Sequence, residues 1–150
     1  MKHLIAVVFI LFMTVSSVFG AAADDILGVW NNEEKDALIE IYKCGEKFCG
    51  KVIRLKEPNY PAGSKDGVPG TPKLDHSNPK PELRAVPVIG LNIVHDFKFA
   101  GENVWKDGKV YDPKNGKTYS GRMTLVSPIQ LNLRGFIGIS LIGRTTSWTR

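Results

Sequence analysis

The densest group of side chains suited to a site is Leu74-Asp75-His76-Ser77-Asn78-Pro79, followed by Leu83-Arg84. A carboxylate, an imidazole, a carboxamide and a guanidinium this close in sequence can fix the polar end of a ligand. The same Asp and Asn side chains also bond neighbouring backbone in turns, so both readings stand for Asp75 and Asn78. His76 and His95 are the histidines downstream of the N-terminal segment, and neither has a second ligand at metal spacing. Asp112-Pro113-Lys114-Asn115-Gly116 resembles a calcium loop only superficially, because it lacks alternating oxygen ligands and a terminal glutamate. The chain contains no G-x-S-x-G, no H-E-x-x-H and no phosphate-cradling glycine loop. Asp75, Asp96, Asp107 and Asp112 leave paired-carboxylate hydrolysis open, since sequence does not give their separations. The balance is against an enzyme, and nothing calls for a metal or a cofactor.

Cys44 and Cys49 are an even pair in a chain that begins like an exported one. Lys2 is followed by the apolar run Leu4 to Val15 and by Ala21-Ala22-Ala23, the order of a cleavable secretory signal. The apolar run is shorter than the roughly 20 residues a membrane-spanning helix needs. Residues 1–23 are therefore expected to be a signal peptide, with one domain over 24–150 in the periplasm or outside the cell, not membrane-spanning once cleaved. An oxidising compartment predicts a Cys44–Cys49 disulfide closing a hairpin, with Gly45-Glu46-Lys47-Phe48 as its connection. The C-x₄-C spacing is not that of a redox catalyst.

The elements that must position these residues are strands. Ile129-Gln130-Leu131-Asn132-Leu133-Arg134 alternates apolar and polar, and so does Lys117 to Val126, with the turn pair Ser127-Pro128 between them. Ala37 to Lys43 and Phe48 to Leu55 form the hairpin carrying the cysteines. Val88 to Phe99 and Asn103 to Tyr111 supply further strands, with Asp107-Gly108 reading as a hairpin turn. Asp24-Asp25 caps a short helical turn before Gly28-Val29-Trp30. Residues 57–87 hold seven of the nine prolines together with Gly63, Gly67 and Gly70, and form one long Pro/Gly-rich loop, either a functional Ω-like loop or a flap. The sum is an all-β chain: a small antiparallel up-and-down barrel of eight or nine strands, wide enough to be filled by side chains or to hold one small ligand.

The net charge of +5 is spread along the chain with acids interleaved, unlike the concentrated basic face of a nucleic-acid binder. Trp30, Trp105 and Trp148 are anchors that bury large areas. If the first and last strands close a barrel, Trp30 and Trp148 approach each other, and Arg144 or Arg150 stacks on an indole.

Gly28-x-Trp30 with a late arginine resembles the lipocalin-type (calycin) barrel. Over nearly the whole domain the chain also resembles an uncharacterised secreted bacterial family, domain of unknown function 2147. The blocks that carry this are Gly28-Val29-Trp30, Cys44-Gly45…Cys49-Gly50, Asp75…Asn78-Pro79, Gly90-Leu91, Tyr111-Asp112-Pro113…Gly116-Lys117-Thr118-Tyr119, Arg134-Gly135-Phe136-Ile137-Gly138 and Gly143-Arg144-Thr145…Trp148-Thr149-Arg150. Val86 stands before Pro87 where the family pattern has a second arginine, which removes support for a two-arginine anion site. The resemblance implies a periplasmic or secreted β-barrel and no reaction. The expected function is binding of a small apolar or amphiphilic molecule. Asp75, Asn78 and Arg84 would sit at the mouth, and Trp105, Tyr111 and Tyr119 would line it. The alternative is an envelope protein-interaction module with a filled core.

Overall fold

A computed structural model describes residues 21–139 and 141–150; most of the expected signal segment lies outside the described residues. A 3-10 turn at Ala23–Ile26 precedes eight strands: β1 Gly28–Asn31, β2 Ala37–Cys44, β3 Lys47–Leu55, β4 Asn92–Phe99, β5 Val104–Asp112, β6 Lys117–Ser127, β7 Gln130–Phe136 and β8 Gly143–Thr149. Each pairs antiparallel with the next, and β8 returns to β1 through Asn31 and Thr149 to close the barrel. Closure removes the exposed edges that a short β domain would otherwise have to protect.

Up-and-down order puts the connections at two ends. The turns β2–β3, β4–β5 and β6–β7 share one end with both the N-terminal turn and the C-terminus. The loops 32–36, 56–91, 113–116 and 137–142 share the other end, the mouth. The first end is sealed. Ile26 is fully buried, and its carbonyl accepts the Trp30 indole N–H at 2.8 Å. The Arg150 guanidinium lies 4.2 Å from the centre of the Trp30 ring. It donates to the carbonyls of Pro128 (2.7 Å), Leu27 (2.9 Å) and Asp25 (3.0 Å). One side chain thus ties the C-terminus, the β6–β7 turn and the N-terminal segment together. Gly28, at φ +115°, passes under this guanidinium in a conformation that suits glycine. Arg144 is at the opposite end of β8 and pairs with Glu33 at 3.1 Å. Asp25 caps its own turn by accepting from the Ala22 N–H at 2.8 Å.

Two expectations about turns are corrected. Asp107-Gly108 is not a hairpin turn but a bulge inside β5, with Asp107 at φ +62° and the register shifting between Trp105 and Gly108. The actual turn is at Gly101, Glu102 and Asn103, all with positive φ. Gly108 sits in the strand because Phe97 lies against it: a Cβ there would be 2.1 Å from the ring. The β2–β3 connection is also tighter than expected. Cys44 pairs with Lys47 and Cys49 with Tyr42, so Gly45-Glu46 alone turns the chain. The Cys44–Cys49 disulfide is present, but it spans the ladder diagonally with Cα atoms 5.8 Å apart.

The lower barrel is packed solid by Trp30, Ile41, Phe48, Phe97, Trp105, Met123, Leu125 and Leu131, all in one apolar cluster. Trp105 meets Phe48 edge-on at 6.3 Å and Phe99 at 5.0 Å. Among the described residues no helix is long and apolar enough to cross a membrane.

Candidate functional site

A cavity of about 1330 Å³ spans the upper barrel and the space between the mouth loops. Its depth is apolar, formed by Ile39, Val52, Ile93, Val110, Leu133 and Trp148, one from each of six strands. Its rim is charged with both signs. Glu33, Asp36, Asp66, Lys65, Lys114 and Arg144 all reach it. Asp36 and Lys114 pair at 3.4 Å across the rim. Burial pushes the Asp36 carboxyl up, but the Asn32 amide and the Lys114 ammonium outweigh it and hold the group below the usual aspartate value.

A glycine pair seats one ring of the packed core. Gly108 on β5 and Gly121 on β6 are cross-strand partners, and a Cβ on either would meet the Phe97 ring, at 2.1 and 2.3 Å. The absence of two side chains lets the phenyl ring lie against both strands inside the apolar cluster.

The long loop is folded onto the rim by a buried polar cluster. Asp75 is wholly buried. One carboxylate oxygen accepts the Tyr111 hydroxyl at 2.6 Å and the other the Asn78 amide at 2.7 Å. The Asn78 backbone carbonyl accepts from Arg84 Nε at 2.7 Å, and its side-chain oxygen from the Lys80 N–H at 2.9 Å. Two bridges, Asn59 with Pro72 and Leu74 with Pro87, hold the loop's arms. Tyr60 packs its ring over Gly67, and its hydroxyl accepts the Leu74 N–H at 2.9 Å. The backbone carbonyl of Ser77 approaches Gly116 so closely that no Cβ fits there, joining the loop to the β5–β6 turn.

Of the side chains expected at a mouth site, Tyr111 and Tyr119 line the cavity. Asp75, Asn78 and Arg84 come together as expected from their spacing, but they bond one another and the strand behind them, and are not part of the cavity wall. Trp105 is a correction: it is fully buried at the sealed end, where its indole N–H donates to the Ala23 carbonyl at 3.1 Å. The bulge at Asp107 changes which side chains of β5 face inward, and that change was hidden while Asp107-Gly108 read as a turn. His76 lines the rim. The deep aliphatics that build the cavity were visible only as core positions, because a wall residue and a packed residue have the same sequence pattern. Asp112 uses both carboxylate oxygens in its own turn, on the Lys114 N–H and the Asn115 amide. The one cluster of metal-type side chains among the described residues is Cys44, Cys49 and Asp96, and its two sulfurs are bonded to each other.

Tyr111 gives the cluster a pH signature. Burial first, and then the Asp75 carboxylate, push its phenol above the ordinary value of 10.0. The folded chain keeps this proton where an unfolded tyrosine has released it. The associated stability is complete below a pH of about 10 and is lost as pH rises beyond it. Denaturant unfolding across the alkaline range is expected to show this decline, and Tyr111→Phe to flatten it. An equally steep decline in the variant would place its origin elsewhere.

The family model described as an uncharacterized protein conserved in bacteria, domain of unknown function 2147, matches residues 28–150. The chain belongs to that family. The match starts at the Gly-x-Trp of β1 and ends at Arg150, so it spans every strand of the barrel and both sides of its seal. Among solved structures, protein HP1028 from Helicobacter pylori, described as belonging to the lipocalin family, is similar with a TM-score of 0.68 and 25% identity. The similarity covers 83% of this chain and 82% of that one. No curated protein matches the chain. The member of domain of unknown function 2147 described here is thus a closed, lipocalin-like barrel, sealed at one end and hollow at the other.

Proposed function

We propose that this barrel binds one small apolar or amphiphilic molecule, with its apolar part in the upper barrel and its polar end among the rim charges. The observation that carries this is the cavity of about 1330 Å³ that runs from the upper barrel to the mouth loops. Pockets that take small molecules are typically about 300–1,000 Å³ and mostly apolar, with a few placed polar groups. Here the depth supplies aliphatic surface and Trp148, while Tyr119 and Tyr111 stand on the wall. Asp75, Asn78 and Arg84 act as the brace that holds the long loop around the opening. The mixed signs at the rim suit a neutral or zwitterionic polar group better than a strongly charged one, since either sign would meet both partners and repellers.

Export to an oxidising compartment fits the disulfide. The contacts at the sealed end favour a mature chain that keeps residues 21–23. Ala23 accepts the Trp105 indole, and the Ala21 N–H donates to the Asn103 side chain.

The test is native mass spectrometry of protein exported from the full coding sequence, followed by organic extraction. A stoichiometric extra mass is expected, released on denaturation, on a chain starting at or near Ala21. Leu133→Trp should fill the upper barrel and abolish the extra mass while leaving the fold intact by circular dichroism. Retention of the same mass in that variant would remove the cavity from consideration.

A further inference from the structure

Beside the mouth, the β7–β8 loop exposes an aliphatic row. Ile137, Ile139, Leu141 and Ile142 are each more than half exposed, Leu141 at 85%. Isolated exposed aliphatics need no explanation, but four on one six-residue loop do. Ile137 and Ile142 also reach the cavity rim, so the loop stands at the opening.

The outer wall of β4–β7 carries an unusual arrangement of charge. Lys98 faces Lys106 across β4–β5, and Arg122 faces Arg134 across β6–β7. Like charges directly opposite on a sheet destabilise it. Lys106, Lys109 and Arg122 surround a shallow depression of about 420 Å³ in the outer wall, edged by Phe136, and its one carboxylate is Asp107. Lys98, Lys106 and Arg122 make no ion pair with any described residue. Phe136 is the last residue of β7 and leads directly into the aliphatic loop. A cationic depression and an aliphatic tip, joined by one aromatic residue, are complementary to the two layers of a lipid surface: anionic headgroups and the acyl chains beneath them.

We propose that this face docks on a bilayer containing anionic phospholipid, with Ile139 and Leu141 inserted below the headgroups and Lys106, Lys109 and Arg122 among the phosphates. Docking would lay this side of the barrel along the lipid surface, with the β7–β8 loop at its edge. It does not depend on the cavity being occupied, because the loop and the basic wall lie outside the barrel.

The test is co-sedimentation of protein made from the full coding sequence, its N-terminus defined by intact mass, with two kinds of vesicle. One is phosphatidylcholine alone and the other an equimolar mixture with phosphatidylglycerol. Binding is expected to the mixture, to weaken as salt rises, and to be slight with phosphatidylcholine alone. Lys106→Ala/Arg122→Ala should weaken it roughly tenfold or more, since each cation near an anionic surface contributes about a fivefold factor. Leu141→Asp should weaken it at least as much. Both variants alter exposed positions and should keep the parent's circular dichroism and melting temperature. Absence of binding to the mixture at low salt would overturn the proposal. So would equal binding by both variants, which would assign attachment to the N-terminus or to non-specific adsorption. If Leu141→Asp instead converts a dimer to a monomer without changing vesicle binding, the loop is a contact between copies and the lipid assignment falls. Ligand extraction failing while docking persists would reject the cavity reading alone.

Discussion

Gly108→Ala is expected to destabilise the fold by about 3 kcal/mol, at the upper end of what overpacking a core costs. The added Cβ would lie 2.1 Å from Cδ2 and 2.4 Å from Cγ of Phe97. Contact at Cγ matters because rotating the ring about its own axis does not move that atom. The whole side chain must shift, and it is wedged against Gly121 on the next strand. For a domain of this size the melting temperature should fall by roughly 10 °C. Phe97→Leu in the Gly108→Ala background separates this clash from general damage. If the ring is the obstacle, the double variant should be more stable than the sum of the two single losses implies, by 1 kcal/mol or more on the usual scale of coupling between touching residues. Simple additivity in that cycle would show that Gly108 serves the bulge's backbone rather than Phe97.

Asp75→Ala should have an effect of similar size by a different route. Its carboxylate accepts from Tyr111 and Asn78, both buried, and removing it orphans two donors at once. An unsatisfied buried group costs about 1–3 kcal/mol, so a loss of roughly 2–5 kcal/mol is expected. Part of that loss should appear as loosening of the long loop. Lys65, Lys73 and Arg84 lie in it, and limited trypsin digestion should cut there faster than in the parent. Tyr111→Phe added to Asp75→Ala removes one of the two orphans and should recover part of the stability. If Asp75→Ala leaves both stability and proteolysis unchanged, the cluster does not brace the loop, and the polar groups at the rim are free for another role.

The two predictions concern parts of the molecule that differed in legibility. The strands of the last third were readable because alternation at period two reports one buried face, and the turn at Ser127-Pro128 separates β6 from β7 as expected. The disulfide was readable from compartment and parity, but its diagonal placement was not, since the spacing does not say which two residues turn. Asp107-Gly108 misled because the dipeptide's preference for positive φ serves a bulge as well as a hairpin. What decided between them was the Phe97 ring, a residue on another strand. Trp105 was misplaced as a consequence, and its partner Ala23 lay in a segment read as removed.

The all-β class, the barrel, the Cys44–Cys49 bond, the family and the grouping of Asp75, Asn78 and Arg84 were legible in the order of the residues. These follow from local periodicity, turn chemistry and short motifs, all of which act between residues near in sequence. Only the tertiary structure decided that the upper barrel is hollow and that Asp75 faces Tyr111. It alone placed Arg150, rather than Arg144, on Trp30, and gathered the cations Lys106, Lys109 and Arg122 of two strands around one depression. Each of these depends on strand register and closure, where residues far apart in sequence meet at distances that no local pattern encodes.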